Sequence, residues 1–464
     1  MILTNLTRGN EIGANSYLLD FGADGRVVLD AGMHPRGEGI QGLPHLERLK
    51  FDSVGTILVS HAHHDHTGAL PLLMRDHPGA RVFMSEATYY LSEPLLHNSV
   101  QVMLKQKAEK GIAEYPLFTH RELDQLVKVW QACGLERPWS LHGYPDPDNE
   151  PLTFDFHDAG HILGSTWMEL TITENGKQTL VVFSGDIGRY DQVILKDPEP
   201  PTRADFLLCE STYGDREHGT GSVPDALADV INRVAKRGGV VVIPSFAVGR
   251  TQTLMYYLRE LDDAQRIPKL PVYVDSPMAI SVTDIYARHH EDHDLDFTKL
   301  EQQGDRDPLN LQDVHMTRAV EDSKKINDVT SPCIIISASG MATGGRVLHH
   351  LAKRLPDSRS AVLLVGYEAE GTLGRALQDG AQFVRIHGQE VPVRAEVVML
   401  DQLSAHAGRS ELLRWLSGFT TPPRQTFLVH GEPNGLEGLR AGIASRFHWP
   451  VVVPAYLQSF DLNK

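Results

Sequence analysis

Short apolar runs punctuate the chain. RVVLDAG (26–32), GTILVSHAH (55–63), LVVFSGD (180–186), DFLLCEST (205–212) and TFLVHG (426–431) each carry four to six apolar residues and then meet Ser, Asp, His or Gly. Runs of this length, rich in Val, Ile and Leu, predict strands buried on both faces. Polar residues gather at their C-terminal ends, the edge where layered α/β folds bind ligands. From about 223 to 380 the texture changes. SVPDALADVINRVAKRG predicts a helix with Ser222 or Pro224 near its start, GGVVVIPSF a strand, and RTQTLMYYLRELDD a helix. PVYVDSP, a helix from about 278, PCIIISASG, a helix from about 345 and AVLLVGY continue the alternation. Strands alternating with amphipathic helices predict βαβ units and a mostly parallel sheet. After about 392 the first texture returns with VRAEVVML, a helix from 409 and TFLVHG, so one domain interrupts another. HGYPDPDNEP (142–151) reads as a Pro- and Asp-rich loop, and 95–135 as helical and polar.

Composition narrows the class. With 464 residues, 41% hydrophobic and 22% charged, the chain matches a globular protein of two or three domains and excludes disordered, collagen-like and coiled-coil chains. A net charge of −16 argues against a protein that coats DNA indiscriminately, while a locally positive cleft would still admit a nucleic-acid substrate. Three scattered cysteines predict neither a disulfide framework nor a Cys-based zinc site, and a reducing, cytoplasmic compartment fits. The N-terminus has no signal-peptide pattern, and no apolar run approaches the roughly 18 residues needed to span a membrane.

The 23 histidines are the anomaly. HAHHDH (61–66) directly follows the strand GTILVS, and in an extended segment His61 and His63 would point the same way, with Asp65 and His66 at the turn. Imidazoles and a carboxylate packed this densely would repel and lose hydration without a cation, and they are typical zinc ligands. Four residues cannot saturate two metals. His161 in DAGHILGS, Asp186 in FSGD and His430 in FLVHG each end an apolar run beside glycine and supply further ligands. Asp30 in VVLDAG is placed to be a ligand or, as we expect, to orient a histidine. His64, His157 and His218 are not assigned to metal.

Asp30, HxHxDH at 61–66, His161 and Asp186, in this order and spacing, resemble the metallo-β-lactamase superfamily. Glu210 in CESTYGDREH, His406 in LSAHAG and His430 in LVHGE resemble the three extra motifs of the β-CASP nucleases. IPSFAVGRTQ (243–252), DSPMA (275–279) and SASGMATGGR (337–346) resemble that family's inserted domain. The similarity spans nearly the whole chain, and is strongest to bacterial relatives of the eukaryotic pre-mRNA cleavage and polyadenylation nuclease subunit. It implies an α/β fold: an αββα metallo-β-lactamase sandwich (1–214 and 393–464) interrupted by a β-CASP domain (215–392) with a mostly parallel sheet and flanking helices.

The resemblance also implies two zinc ions, one on His61, His63 and His161, the other on Asp65, His66 and His430, bridged by Asp186. Asp65, Glu210 and His406 would be catalytic. His406 beside Glu210 forms a proton-donor pair or binds a phosphate oxygen, and Glu210 alone would also serve as a strand-end cap. Two strand-to-helix loops, with Ser245 and Arg250 in one and Ser337, Ser339, Gly340, Thr343 and Arg346 in the other, suit an RNA backbone clamp or ordinary βα turns. Tyr213 and Phe246 would stack on bases or form the wall. Two positions depart from the family. The N-terminal RGNEIGANSYLLD keeps Gly13 and Ser16 but not the usual Gly/Ser richness, and Ala407-Gly408 follows His406 where many relatives have Asp at the second position.

The activity implied is zinc-dependent hydrolysis of single-stranded RNA, leaving 3′-hydroxyl and 5′-phosphate ends. A repair-type DNA nuclease, a non-catalytic RNA-binding scaffold and a small-molecule hydrolase are the alternatives. His430 favours RNA within the resemblance, and the full ligand set disfavours the scaffold. The 34 residues after His430 predict no extra C-terminal domain. Homodimerisation stays open.

Overall fold

The computed structural model describes residues 1–464 apart from 9, 23–24, 141–149, 175, 295–296, 299–308, 310, 367 and 464. All but the last two residues of the loop expected at 142–151 therefore lie outside the description. The chain forms two units, Met1–Glu217 with His406–Lys464, and His218–Ala405.

The first unit holds two seven-stranded sheets. One runs Ser459–Asp461, Ile2–Asn5, Tyr17–Asp20, Arg26–Leu29, Thr56–Leu58, Arg81–Ser85, Trp130–Cys133. The other runs Val451–Val452, Gln425–Val429, Phe206–Glu210, Lys177–Phe183, Thr166–Glu174, Leu152–Asp158, Trp139–Ser140. Their period-2 patterning builds the layers. Val27, Leu29, Leu58 and Phe83 face Phe154, Met168, Val181, Phe183 and Leu208 in a core between the sheets. The alternate residues Val28, Ile57 and Val82 pack outward on Leu73, Leu96 and Val100 of the helices Leu70–Asp76 and Glu86–Lys110. On the opposite side Val182, Leu207 and Leu428 meet Leu412, Trp415 and Leu439 of the helices Arg409–Leu416 and Pro433–Arg446. The result is the αββα sandwich.

The second unit is a six-stranded, all-parallel sheet in the order Val314–Met316, Val272–Val274, Cys333–Ser337, Val240–Pro244, Ala361–Leu364, Glu396–Met399. Ser222 caps the helix Val223–Lys236 by accepting from Asp225 N–H, and Ser276 caps Pro277–Tyr286 in the same way. Two sequence expectations need correction. The strand Glu396–Met399 pairs in register with Ala361–Leu364, so the inserted unit runs past 392 to Ala405. Within the stretch read as helical, Trp130–Cys133 is instead an edge strand, because Trp130 and Cys133 bury beside Arg81–Ser85.

The sheets converge on one edge. Thr56–Leu58, Lys177–Phe183, Phe206–Glu210 and Gln425–Val429 all point their C-terminal ends to the edge where HAHHDH, Asp186, Glu210 and His430 lie. The HAHHDH turn does not continue its strand. It bends at 62–63 and forms the one-turn helix His64–Thr67, with His63 as its cap. Its carbonyls are taken by neighbours, His66 O by Ala31 N–H (2.9 Å), His64 O by Met33 N–H (2.9 Å) and Asp65 O by Asn15 N–H (2.8 Å). Gly32 makes this lashing possible, since a Cβ there would lie 1.7 Å from Asp65 O. A Gly32→Ala variant should lose about 2–3 kcal/mol of stability in urea denaturation. A change below about 0.5 kcal/mol, the range of ordinary surface substitutions, would show that the turn yields freely.

Candidate metal centre

Asp186 follows Gly185, whose φ of +52° and whose approach to Ser60 (2.8 Å from a built Cβ) leave no room for a side chain. This turn aims a buried carboxylate into the loops. Oδ2 lies 3.5 Å from His61 Nε2 and 3.6 Å from His161 Nε2, while His63 Nδ1 is 3.1 Å from His61 Nε2 and 3.2 Å from His161 Nε2. Oδ1 faces a second set. It is 3.3 Å from His66 Nε2 and 3.5 Å from His430 Nε2, which is 3.8 Å from Asp65 Oδ2. Asp186, Glu210 and His406 form a third group.

These spacings fit metal ions. Ligands at roughly 2.0–2.1 Å from a tetrahedral zinc stand roughly 3.3–3.4 Å apart, the scale of both sets. Asp186 Oδ1 and His430 Nε2 are buried yet make no hydrogen bond of good geometry, which a ligating role explains.

The ligands are oriented from behind. Ser60 Oγ lies 3.0 Å from His61 Nδ1, and Asp30 Oδ2 lies 2.6 Å from His66 Nδ1, each leaving Nε2 turned to the centre. Asp30 is itself fixed by Ser60 N–H (2.7 Å) and Ser60 Oγ–H (2.7 Å). It adopts φ 57°, a left-handed turn that Asp tolerates, and makes contact with His66 rather than joining either set. The His161 backbone N–H donates to Ser165 Oγ at 2.9 Å.

Electrostatics divides the imidazoles. Burial pushes His61 and His161 well below the ordinary histidine range and His63 down to about 4, which favours the neutral imidazole that can ligate a cation. His66 is also opposed by burial, but the Asp186 and Asp30 carboxylates raise it well above that range. Asp186 is held well below its usual range, against burial, by His430, His66 and His61. A cation arriving here displaces protons, so binding and protonation compete.

Glu210 ends its strand buried. Its two oxygens accept from Ile187 N–H and Thr212 N–H, both at 2.9 Å. His406 Nδ1 lies 3.5 Å from Glu210 Oε1 and 3.9 Å from Asp186 Oδ2. Against burial, Glu210 and then Asp186 raise the His406 imidazole. No carboxylate stands at 407 or 408. Glu411 braces the turn instead, accepting from Gly408 N–H (2.8 Å) and Tyr190 N–H (3.2 Å), while Ala407 N–H donates to Ile187 O (2.8 Å). The Tyr213 ring sits 5.8 Å from His406.

Residues left outside the centre have other partners. His64 Nδ1 contacts Ser99 Oγ at 3.2 Å, and His157 stacks on Trp167 with Glu199 at 3.0 Å. Sequence reasoning missed Asn15, Tyr17, Ser60, Ser165 and Glu411, and only Ser60, next to the histidine run, carried a positional signal.

In the second unit the loop residues separate. Ser245 and Ser337, expected in the loops that would clamp RNA, have buried hydroxyls: Ser337 donates to Asp275 O at 2.9 Å, and Thr251 donates to Ser245 Oγ at 3.1 Å. Arg346 is tied to buried Asp275 at 2.7 Å and to the carbonyls of Thr317 and Arg318, so it braces the loop. Ser339 and Thr343 lie nearer the surface, joined by a 3.1 Å contact, and Gly340 sits against the exposed Phe246 ring. Arg250 opens the helix Arg250–Asp263.

The fold and this centre define a metallo-β-lactamase-type hydrolase with an inserted α/β unit. Matching family models are the metallo-beta-lactamase superfamily over 9–237, the Beta-Casp domain over 251–377 and the Zn-dependent metallo-hydrolase RNA specificity domain over 390–454. The chain belongs to the β-CASP nuclease family of the metallo-β-lactamase superfamily. It is 35% identical to Ribonuclease TTHA0252 of Thermus thermophilus, over 94% of each chain. It is 30% identical to the Transcription termination factor FttA of Methanocaldococcus jannaschii, over 95% of this chain and 68% of that one. It is 28% identical to Endoribonuclease YSH1 of Mycosarcoma maydis, over 95% of this chain and about half (48%) of that one.

Replacing Ser60 by alanine removes the hydroxyl from both Asp30 and His61 while keeping the backbone N–H bond to Asp30. Metal affinity in chelator competition should fall by about 10–100-fold with the far-ultraviolet spectrum unchanged. Affinity equal to the wild type would show that Ser60 only fills space.

Proposed function

We propose that this chain is a zinc-dependent ribonuclease that hydrolyses phosphodiester bonds of single-stranded RNA in RNA processing or decay. The observation that carries the reading is the buried Asp186, with one oxygen turned to each of two ligand sets and the His406–Glu210 pair beside it. The names of the relatives, two of them ribonucleases, supply the substrate class. His61, His63 and His161 would hold one ion, Asp65, His66 and His430 the other, and Asp186 would span them. When bound, two divalent ions lower the pKa of an attacking water and stabilise charge on the entering and leaving oxygens at phosphorus.

The protein's own groups do the remainder. Asp30 and Ser60 keep the ligating imidazoles turned inward. Glu210, fixed by two backbone donors, keeps the His406 imidazole charged and oriented. His406 then hands its proton to the departing 3′ oxygen, leaving a 3′-hydroxyl and a 5′-phosphate. Ser339, Gly340 and Thr343 are our candidates for backbone contacts in the second unit, with Arg250 at a helix start and Phe246 as a base-stacking face. Cys133, Cys209 and Cys333 are free and buried, which supports a reducing, cytoplasmic setting. No described helix is long and apolar enough to cross a membrane.

End-labelled single-stranded RNA and matching DNA, incubated with wild type and Asp186→Ala, test the reading. RNA cleavage by the wild type alone is expected, and cut DNA with intact RNA would move the assignment to a DNA nuclease. His406→Ala should lower kcat by about 10²–10⁴-fold while metal content stays unchanged. A variant that loses metal instead would make His406 a ligand rather than the proton donor.

A further inference from the structure

Asn15 lies buried just ahead of the strand Tyr17–Asp20. It touches every member of the second ligand set. Its backbone N–H donates to Asp65 O at 2.8 Å, and its amide nitrogen stands 2.6 Å from His430 Nδ1 and 3.0 Å from His66 Nε2. Its amide oxygen accepts from the Tyr17 hydroxyl at 2.9 Å. Among the described residues its hydrogen bonds reach none of His61, His63 and His161.

The amide as placed offers N–H to both rings, an arrangement suited to imidazoles with bare lone pairs there. A His430 that ligates through Nε2 carries its ring hydrogen on Nδ1 and needs an acceptor behind it. The two ends of a carboxamide have nearly the same shape, so turning the group over presents the oxygen to His430. The Tyr17 hydroxyl then accepts where it had donated, and it is equipped for either role, while the amide nitrogen gives up its long 3.4 Å contact with Gly13 O.

We propose that Asn15 is a positioning residue for the second cation: its carboxamide fixes the ring hydrogen of His430 on Nδ1, and so sets how tightly the Asp65–His66–His430 group holds its ion. The inference rests on the two-ion reading above. It assigns Asn15 no contact with substrate.

The test measures zinc per chain after loading and dialysis against a graded chelator, for wild type, Asn15→Ala, Asn15→Asp and Tyr17→Phe, with thermal melting alongside. Wild type should hold two ions, and Asn15→Ala should release one of them at about 10–100-fold lower chelator strength while keeping the other. Asn15→Asp restores an acceptor for His430 and should recover retention. Tyr17→Phe, which loosens the amide without removing it, should fall between, and it decides the question if Asn15→Ala fails to fold. Two ions held equally tightly in wild type, Asn15→Ala and Tyr17→Phe would overturn this proposal alone. Equal loss of both ions in Asn15→Ala and Asn15→Asp would overturn it in favour of a general structural role. A wild type that holds a single ion under all conditions would overturn the two-ion reading, and this inference with it.

Discussion

A carboxylate buried among imidazoles is an expensive arrangement unless every atom has a partner. Asp186 is that carboxylate, and six histidine rings and Glu210 are grouped around it. Hydrogen bonds alone do not satisfy it, since Oδ1 makes none of good geometry. The remaining structure can be understood as what holds this group together. Parallel strands in the second sheet end at Phe183, Glu210 and Val429, which brings Asp186, Glu210 and His430 to one edge. The first sheet ends Thr56–Leu58 at the same edge, and the core of Leu58, Phe83, Phe183 and Leu208 fixes the two sheets against each other. Apolar packing thus supplies the stability that the polar centre by itself does not have.

This division explains what was legible in the sequence. HAHHDH is contiguous, and Asp186 and His430 each close an apolar run beside glycine, which marked them as candidates beside HAHHDH, while their grouping into two sets came from the family resemblance. The layered fold was legible for the same reason, because strand texture and helix texture alternate cleanly. The residues that orient the ligands were not legible. Asn15 lies 415 positions from His430 in the chain, and Glu411 acts on the His406 loop through backbone hydrogens. Neither contact has a local pattern. Glu396–Met399 shows a further limit, since a short apolar strand does not announce which sheet it joins. Burial was also invisible: Ser245 and Ser337 have the composition of a phosphate loop, but their hydroxyls face inward.

The second unit repeats the logic of a buried acid on a smaller scale. Asp275 is enclosed and contacts Arg346 at 2.7 Å, Ser323 at 2.6 Å and His350 at 2.7 Å. Against burial, His350, Ser323 and Arg346 keep its carboxyl below the usual range. Through Arg346 this acid grips the end of the Ser/Gly-rich loop and the carbonyls of Thr317 and Arg318. A loop of serines and glycines has high conformational entropy when free. Anchoring it on a fully engaged carboxylate removes that freedom in advance of any ligand.

The placement of the insertion has a consequence for the proposed donor pair. Glu210 lies seven residues before the chain leaves the first unit at Glu217, and His406 is the first residue after it returns. The pair therefore spans the mouth of a loop 188 residues long (218 to 405). Doubling such a loop costs only about 0.6 kcal/mol of closure entropy, so length itself is tolerated. Register at the mouth is the stricter demand. It is met inside the first unit, where Ser410 N–H and Oγ–H donate to Glu217 at 3.1 and 2.6 Å and Arg409 N–H donates to Arg216 O at 2.9 Å. These staples join the departing and returning segments directly, and Glu411 then fixes the turn that carries His406. Contacts within the first unit thus hold together the segments that carry Glu210 and His406.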